Sequence, residues 1–367
     1  MSSETPPLKS EIRRLIDIAG PMPIARYMAT CLCHPKHGYY MTRDPFGAAG
    51  DFITAPEISQ MFGELIGLWT AAVWRQMGAP ENVRIVELGP GRGTMMADAL
   101  RAAKVVPAFH AAIAVHLVEI SPALQHLQRR TLEPLKVPLH WHQALEDVPE
   151  GPAIILANEF FDALPVHQAI KQDDGWHERV VTVDPNGNFV LGAMMSPIPH
   201  FDTLLPRHVR DASPGNIFEW RTDSVALEIG RRVTHDGGAA LVIDYGHTQS
   251  DVGDTVQAVG EHAYANPLIA PGLVDLTAHV DFQSLAVYAD SIGARISGPL
   301  QQGEFLRRLG IETRAATLKA NAARDKASEI DAQVERLTGD GARRMGTLFK
   351  VMGIGHPKLG VLPGFDP

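Results

Sequence analysis

The chain has 367 residues, 45% hydrophobic and 20% charged, with a formal net charge of −9. At about 150 residues per domain this is one elaborated domain or two smaller ones, long enough to bury a sizeable core. The acidic balance points away from nucleic acid, two cysteines exclude a disulfide framework, and no run reaches the 18 or so apolar residues of a membrane span.

The first seven residues lack a basic region, an apolar run or an Arg-rich amphipathic pattern, so a cytoplasmic location is expected. Residues 8–78 read mostly as helices. Ser10 can cap one that starts at Glu11, buries Ile12, Leu15, Ile16 and Ala19, and ends at Gly20-Pro21. Thr54-Ala-Pro-Glu57 fits a capping box for a long amphipathic helix carrying Ile58, Met61, Phe62, Leu65, Ile66, Trp69, Val73 and Met77.

Strands then alternate with helices. Val83–Glu87, Ile113–Glu119, Val137–His142 and Ala153–Asn158 are the strands, with helices over Thr94–Lys104 and after Ser121. That alternation predicts a doubly wound parallel sheet. From Val166 the pattern becomes hairpins, turning at Asp173-Asp-Gly175 and Asn186-Gly187. A helix at Ser224–Arg232, a buried strand at Ala239–Tyr245, a loop-to-helix unit at Asp275–Ile292 and a strand at Ala294–Gly298 resume the core. The organisation expected is a helical cap over 1–79, a core over 80–165 and 221–310, a hairpin insertion over 166–220 and a helical C-terminal segment over 311–367.

Glu87-Leu-Gly89-Pro90-Gly91-Arg-Gly93 lies between a strand and a helix, where such sheets bind nucleotides. Its spacing is not the dinucleotide G-x-G-x-x-G. Glycines let the backbone approach a ligand, and an adjacent carboxylate suits a cationic ligand better than pyrophosphate. S-adenosylmethionine, with a sulfonium, an ammonium and no phosphate, fits better than NAD. Glu119, ending the next strand, can accept bonds from both ribose hydroxyls. Gln143 lies where an adenine edge would, and reads equally well as a polar loop residue.

Seven segments occur in order: Gly38-Tyr-Tyr40, Gly50-Asp-Phe-Ile-Thr-Ala-Pro-Glu57, Phe62-Gly-Glu64, Glu87 to Gly93, Asn158-Glu-Phe-Phe-Asp-Ala-Leu-Pro165, Asp244-Tyr-Gly246 and Asp275-Leu-Thr-Ala-His-Val-Asp-Phe282. With these the chain resembles, over roughly residues 8–355, the MidA-like family that includes the mitochondrial complex I assembly-factor arginine methyltransferase. The resemblance implies a Rossmann-like class I methyltransferase fold, S-adenosylmethionine as cofactor, and arginine N-methylation of a core, peripheral-arm subunit of NADH dehydrogenase (complex I).

Asn158, Glu159 and Asp162 sit at the carboxyl end of the fourth strand and are the catalytic candidates. A protonated arginine needs carboxylates to hold its fork of donors and fix its plane. Phe160 and Phe161 can wall that cation or belong to the core. Gly50, Asp51 and Phe52 can form a lid, although Asp51 also reads as a turn residue. Tyr245 ends the fifth strand, and His279 can reach the site. Asp281 reads as a helix cap. Cys31-Leu-Cys-His-Pro-Lys-His37 lacks zinc-ligand spacing, and no metal is expected. The rival readings are a non-catalytic assembly scaffold and an NAD-dependent oxidoreductase.

Overall fold

The computed structural model describes residues 6–42, 54–222, 224–260, 263–320, 322–341 and 344–366. Seven strands carry the architecture: β1 (Val83–Leu88), β2 (Ile113–Val118), β3 (Leu139–His142), β4 (Ala153–Asn158), β5 (Gly238–His247), β6 (Arg295–Gln301) and β7 (Phe349–Gly355). They lie in the order β6-β7-β5-β4-β1-β2-β3, and the two-residue strand Val280–Asp281 pairs with the end of β5. From β5 through β3 every neighbour is parallel. Strand β7 runs antiparallel between β5 and β6.

Both faces of the sheet are covered, and its strands are apolar almost throughout, as a buried parallel sheet requires. The helices Gln60–Gln76 and Thr94–Ala103 pack on one face. They approach so closely that a Cβ at Gly67 would lie 2.4 Å from the carbonyl oxygen of Ala99. The helices Ser224–His235 and Phe282–Ser291 cover the other face. Chain order reverses between β1, which leads outward to β2 and β3, and β4, which leads to β5. At such a point the carboxyl ends of the strands diverge and leave a crevice.

A second sheet pairs Met22–Pro23, Gly175–Val183, His167–Gln172 and Ile217–Trp220, with Phe189–Ala193 on the outer side of Gly175–Val183. The N-terminal region therefore contributes a strand to the hairpin sheet. A third small sheet holds Gln257–Gly260, Ala263–Ala265 and Asp275–Thr277.

Four local expectations are corrected. The first helix starts at Pro7, with proline in its first turn and no side-chain cap, so Ser10 lies inside it. Thr54 makes no side-chain cap. The helix Ala55–Ile58 breaks at Ser59, which is extended and caps the long helix by accepting from Met61 N at 3.3 Å. Glu57 instead accepts from Thr94 Oγ1 at 2.6 Å. The C-terminal segment is not all helical: after the helices Ile311–Lys319 and Arg324–Thr338 it returns as β7. A short apolar run containing glycine is ambiguous between helix and strand, and the open edge of β5 decides it.

Candidate functional site

The glycine loop leaves β1 through three left-handed residues, Gly89 (φ 60°), Gly91 (φ 53°) and Gly93 (φ 80°). At Gly89 a side chain is excluded twice, by its φ and because a Cβ would lie 2.9 Å from the Phe160 ring. The loop borders a cavity of about 340 Å³ on one side and a smaller one of about 40 Å³ on the other.

Gly89, Gly91, Glu119, Gln143, Glu159, Asp162 and Tyr245 all line the larger cavity. Glu87, Pro90 and Asn158 line the smaller one, which Gly89, Gly91 and Glu159 also border. Gly93 caps the following helix. His279 lies elsewhere, lining a separate cavity of about 310 Å³ while its ring meets Tyr245 edge-on at 5.6 Å. Gly50, Asp51 and Phe52 lie outside the described residues. The two phenylalanines divide: Phe160 walls the larger cavity, and Phe161 is core. Asp281 caps its helix by accepting from Ser284 N at 3.0 Å. Among the described residues no group of three His, Cys, Asp or Glu side chains is arranged to hold a metal, and no helix is long and apolar enough to cross a membrane.

On the β1–β2 side, burial pushes Glu87 up to about 8, and its Oε2 has no hydrogen-bond partner. A buried carboxylate oxygen without a donor is costly unless a cation or a proton meets it. Glu119 accepts from Ser121 N at 2.8 Å and from Gln128 Nε2 at 3.1 Å. Burial raises it to about 6 against those donors, so it is mostly ionised at neutral pH. Gln128, wholly buried, also donates to the Gly91 carbonyl at 2.8 Å and accepts from Trp141 Nε1 at 2.9 Å. One amide thus ties the glycine loop to the Glu119 carboxylate.

On the β4–β5 side, Glu159 adopts φ 49°, which is costly for a residue with a Cβ. The surroundings over-determine it. Glu159 N donates to Ile243 O at 2.9 Å, and the next three amides, Phe160, Phe161 and Asp162, converge on Asp244 Oδ2 at 3.0–3.2 Å. Asp244 Oδ1 accepts from Tyr245 N at 2.9 Å. This clamp aims Glu159 into the crevice, where Oε1 accepts from Ala55 N at 3.0 Å. Burial raises Glu159 to about 7 despite that bond. Asp162 is also raised by burial, its Oδ2 accepts from Tyr245 OH at 2.7 Å, and its buried Oδ1 has no partner.

The larger cavity is one-signed. Glu119, Glu146, Glu159, Asp162 and Asp275 line it, and no lysine, arginine or histidine does among the described residues. Such a space suits cationic occupants. The loop can take a backbone-close ligand and Glu119 can take vicinal hydroxyls, while the Glu87 carboxyl, on the smaller cavity, suits an ammonium.

The comparisons with known proteins agree with that chemistry. The profile of a family of S-adenosyl-L-methionine-dependent methyltransferases matches residues 65–300. The chain belongs to this family. Its cofactor is S-adenosylmethionine, its fold is the Rossmann-like methyltransferase fold, and the dinucleotide-dependent alternative falls.

A protein of Burkholderia thailandensis, whose crystal structure holds S-adenosyl-homocysteine, is 29% identical with a TM-score of 0.83, covering 98% of this chain and 94% of that one. The mitochondrial protein arginine methyltransferase NDUFAF7 homolog of Drosophila melanogaster is 38% identical, covering 94% of this chain and 84% of the relative. Human mitochondrial NDUFAF7, also named a protein arginine methyltransferase, is 38% identical over 91% of this chain and 79% of its own length. The Drosophila and human relatives correct the expected cytoplasmic location, since both are named as mitochondrial. That expectation rested on the residues at the start of the chain, and such residues do not decide the compartment.

Gln128, Tyr40, Glu146 and Asp275 also belong to this site, and none of them stands out in the sequence alone. Tyr40 and Asp275 lie in segments that carry the family resemblance, but nothing local to either gives it a role.

Proposed function

We propose that this methyltransferase modifies an arginine of a protein partner, a peripheral-arm subunit of respiratory complex I, during assembly of that complex. The one-signed cavity at the carboxyl edge of β4 carries this reading, because Glu159 and Asp162 face a space with no lining cation among the described residues. The curated relatives' names supply the substrate class.

When bound, S-adenosylmethionine supplies an electrophilic methyl group on a sulfonium. The residues that would hold it are the Gly89–Gly93 loop, Glu87, Glu119 and Gln143. The protein's remaining task is to orient the acceptor and take away a proton. Asp162, fixed by the Tyr245 hydroxyl, and Glu159, fixed by Ala55 N, hold two guanidinium N–H groups and set its plane. A guanidinium that gains a methyl group must lose one proton. Glu159, at about 7, is tuned to accept it near neutral pH. Phe160 shields the exchange from water.

The test is transfer of labelled methyl from S-adenosylmethionine to isolated peripheral-arm subunits, with mass spectrometry of the product. One modified arginine is expected. Tight cofactor binding with no arginine modified would overturn the reading in favour of an assembly scaffold.

A further inference from the structure

The larger cavity contains a second phenol–carboxylate pair that the reading above does not use. Tyr40 OH donates to Asp275 Oδ2 at 3.0 Å, as Tyr245 OH does to Asp162 Oδ2 at 2.7 Å. All four residues line the one cavity. The pairs come from unrelated parts of the chain: Tyr40 from the short helix Tyr39–Thr42, Asp275 from the third sheet, Asp162 from the turn after β4 and Tyr245 from β5. They are nevertheless linked. Asp275 and Thr277 are two apart on one strand and so share a face, and the Thr277 side chain acts on the Tyr245 phenol.

Asp275 is held as firmly as Asp162, since its Oδ1 accepts from its neighbour Leu276 N at 2.9 Å and it is 4% exposed. Asp162, 6% exposed, lines the same cavity and has one buried oxygen with no partner. A guanidinium carries five donors in a plane, on more than one edge, whereas an ammonium is a compact point charge. A single carboxylate side satisfies an ammonium. Two carboxylates brought to one cavity by separate elements are what a planar fork needs.

We propose that Tyr40 and Asp275 form the second arm of the acceptor site, holding the guanidinium edge that Asp162 does not reach and selecting arginine over lysine. The inference rests on the proposed arginine acceptor. Tyr40 is a positioning residue that orients the Asp275 carboxylate, and Asp275 touches the substrate. No bond is made or broken at either residue, so this arm changes acceptor affinity and selectivity rather than the proton balance.

The test titrates ethylguanidinium and propylammonium into the full chain saturated with S-adenosyl-homocysteine, following binding by ligand-observed NMR. Wild-type protein is expected to prefer ethylguanidinium by at least about tenfold, since the second arm adds hydrogen bonds between charged partners. Asp275→Asn is expected to lose most of that preference and Tyr40→Phe about threefold of it, with affinity for S-adenosyl-homocysteine unchanged in both. Unchanged cofactor affinity also shows that the variants fold. If Asp275→Asn keeps the full preference while Asp162→Asn loses it, the second arm is wrong and the arginine reading stands. If wild-type protein shows no preference for ethylguanidinium, both fall.

Discussion

The two halves of the crevice are built by opposite strategies. The β1–β2 half, with the glycine loop, Glu87, Glu119 and Gln128, comes from some forty consecutive residues and is tied by short-range bonds such as Ser121 N to Glu119. The β4–β5 half gathers Ala55, Glu159, Asp162, Asp244 and Asp275 from distant parts of the chain. Cofactor binding asks for a fixed cradle that one βαβ unit can supply. Acceptor recognition, as proposed above, asks for charges from separate elements of the fold, and only tertiary assembly brings those together.

Substitutions should therefore separate cleanly between the halves. The largest effect is expected at Glu159→Gln, which keeps the shape and removes the proton acceptor. Methyl transfer should fall about 10²–10⁴-fold in a single-turnover assay, with affinity for S-adenosyl-homocysteine unchanged. A parallel loss of cofactor affinity would dissolve the distinction between the halves. Asp244→Ala leaves four backbone N–H groups without their acceptor. With about 1–3 kcal/mol at stake per buried donor, stability should drop by at least about 3 kcal/mol in urea unfolding, with activity lost through the Glu159 turn.

Gln128→Leu is the mirror case. Losing the bonds to Gly91 and Glu119 should weaken S-adenosyl-homocysteine by roughly tenfold in calorimetry, about 1.4 kcal/mol, and leave kcat at saturating cofactor unchanged.

The smallest signal is in protons. Glu87 is raised from 4.5 to about 8, so between those values the folded chain holds a proton that the unfolded chain has released. Stability of the cofactor-free protein should therefore fall as pH rises through that window, and Glu87→Gln should flatten the slope. An ammonium beside Glu87 favours its ionised form. Binding of S-adenosyl-homocysteine at pH 7 should then release up to one proton, seen as a buffer-dependent calorimetric enthalpy that Glu87→Gln abolishes. On the other half, the methyl-transfer rate should rise with pH through about 7 as Glu159 ionises.

The same contrast explains what could be read in advance. Strands β1, β2 and β4 were legible because apolar runs bounded by glycine, proline and capping serine are local signals, and the glycine spacing placed its own ligand. Thr54 to Glu57 imitated a capping box because residue type at three-residue spacing cannot show that Ser59 breaks the helix. Gln128 sits on an amphipathic helix, where a glutamine reads as solvent-facing. Its burial depends on Trp141 from β3. Tyr40 and Asp275 acquire a role only from each other, 235 residues apart. Strand β7 was hidden because its partner strands, not its own sequence, select the extended state.

That last strand bears on how the protein is made. Residues 349–355 slot between β5 and β6, so one edge of β5 and the facing edge of β6 stay unpaired until that segment is available. A nascent chain emerging from the ribosome can complete the cofactor cradle early. It must hold two unpaired strand edges open until residues 349–355 arrive, and such edges invite association with other chains. Pairing of β5 beside Asp244 and Tyr245 thus waits on a segment translated well after the β1–β2 half.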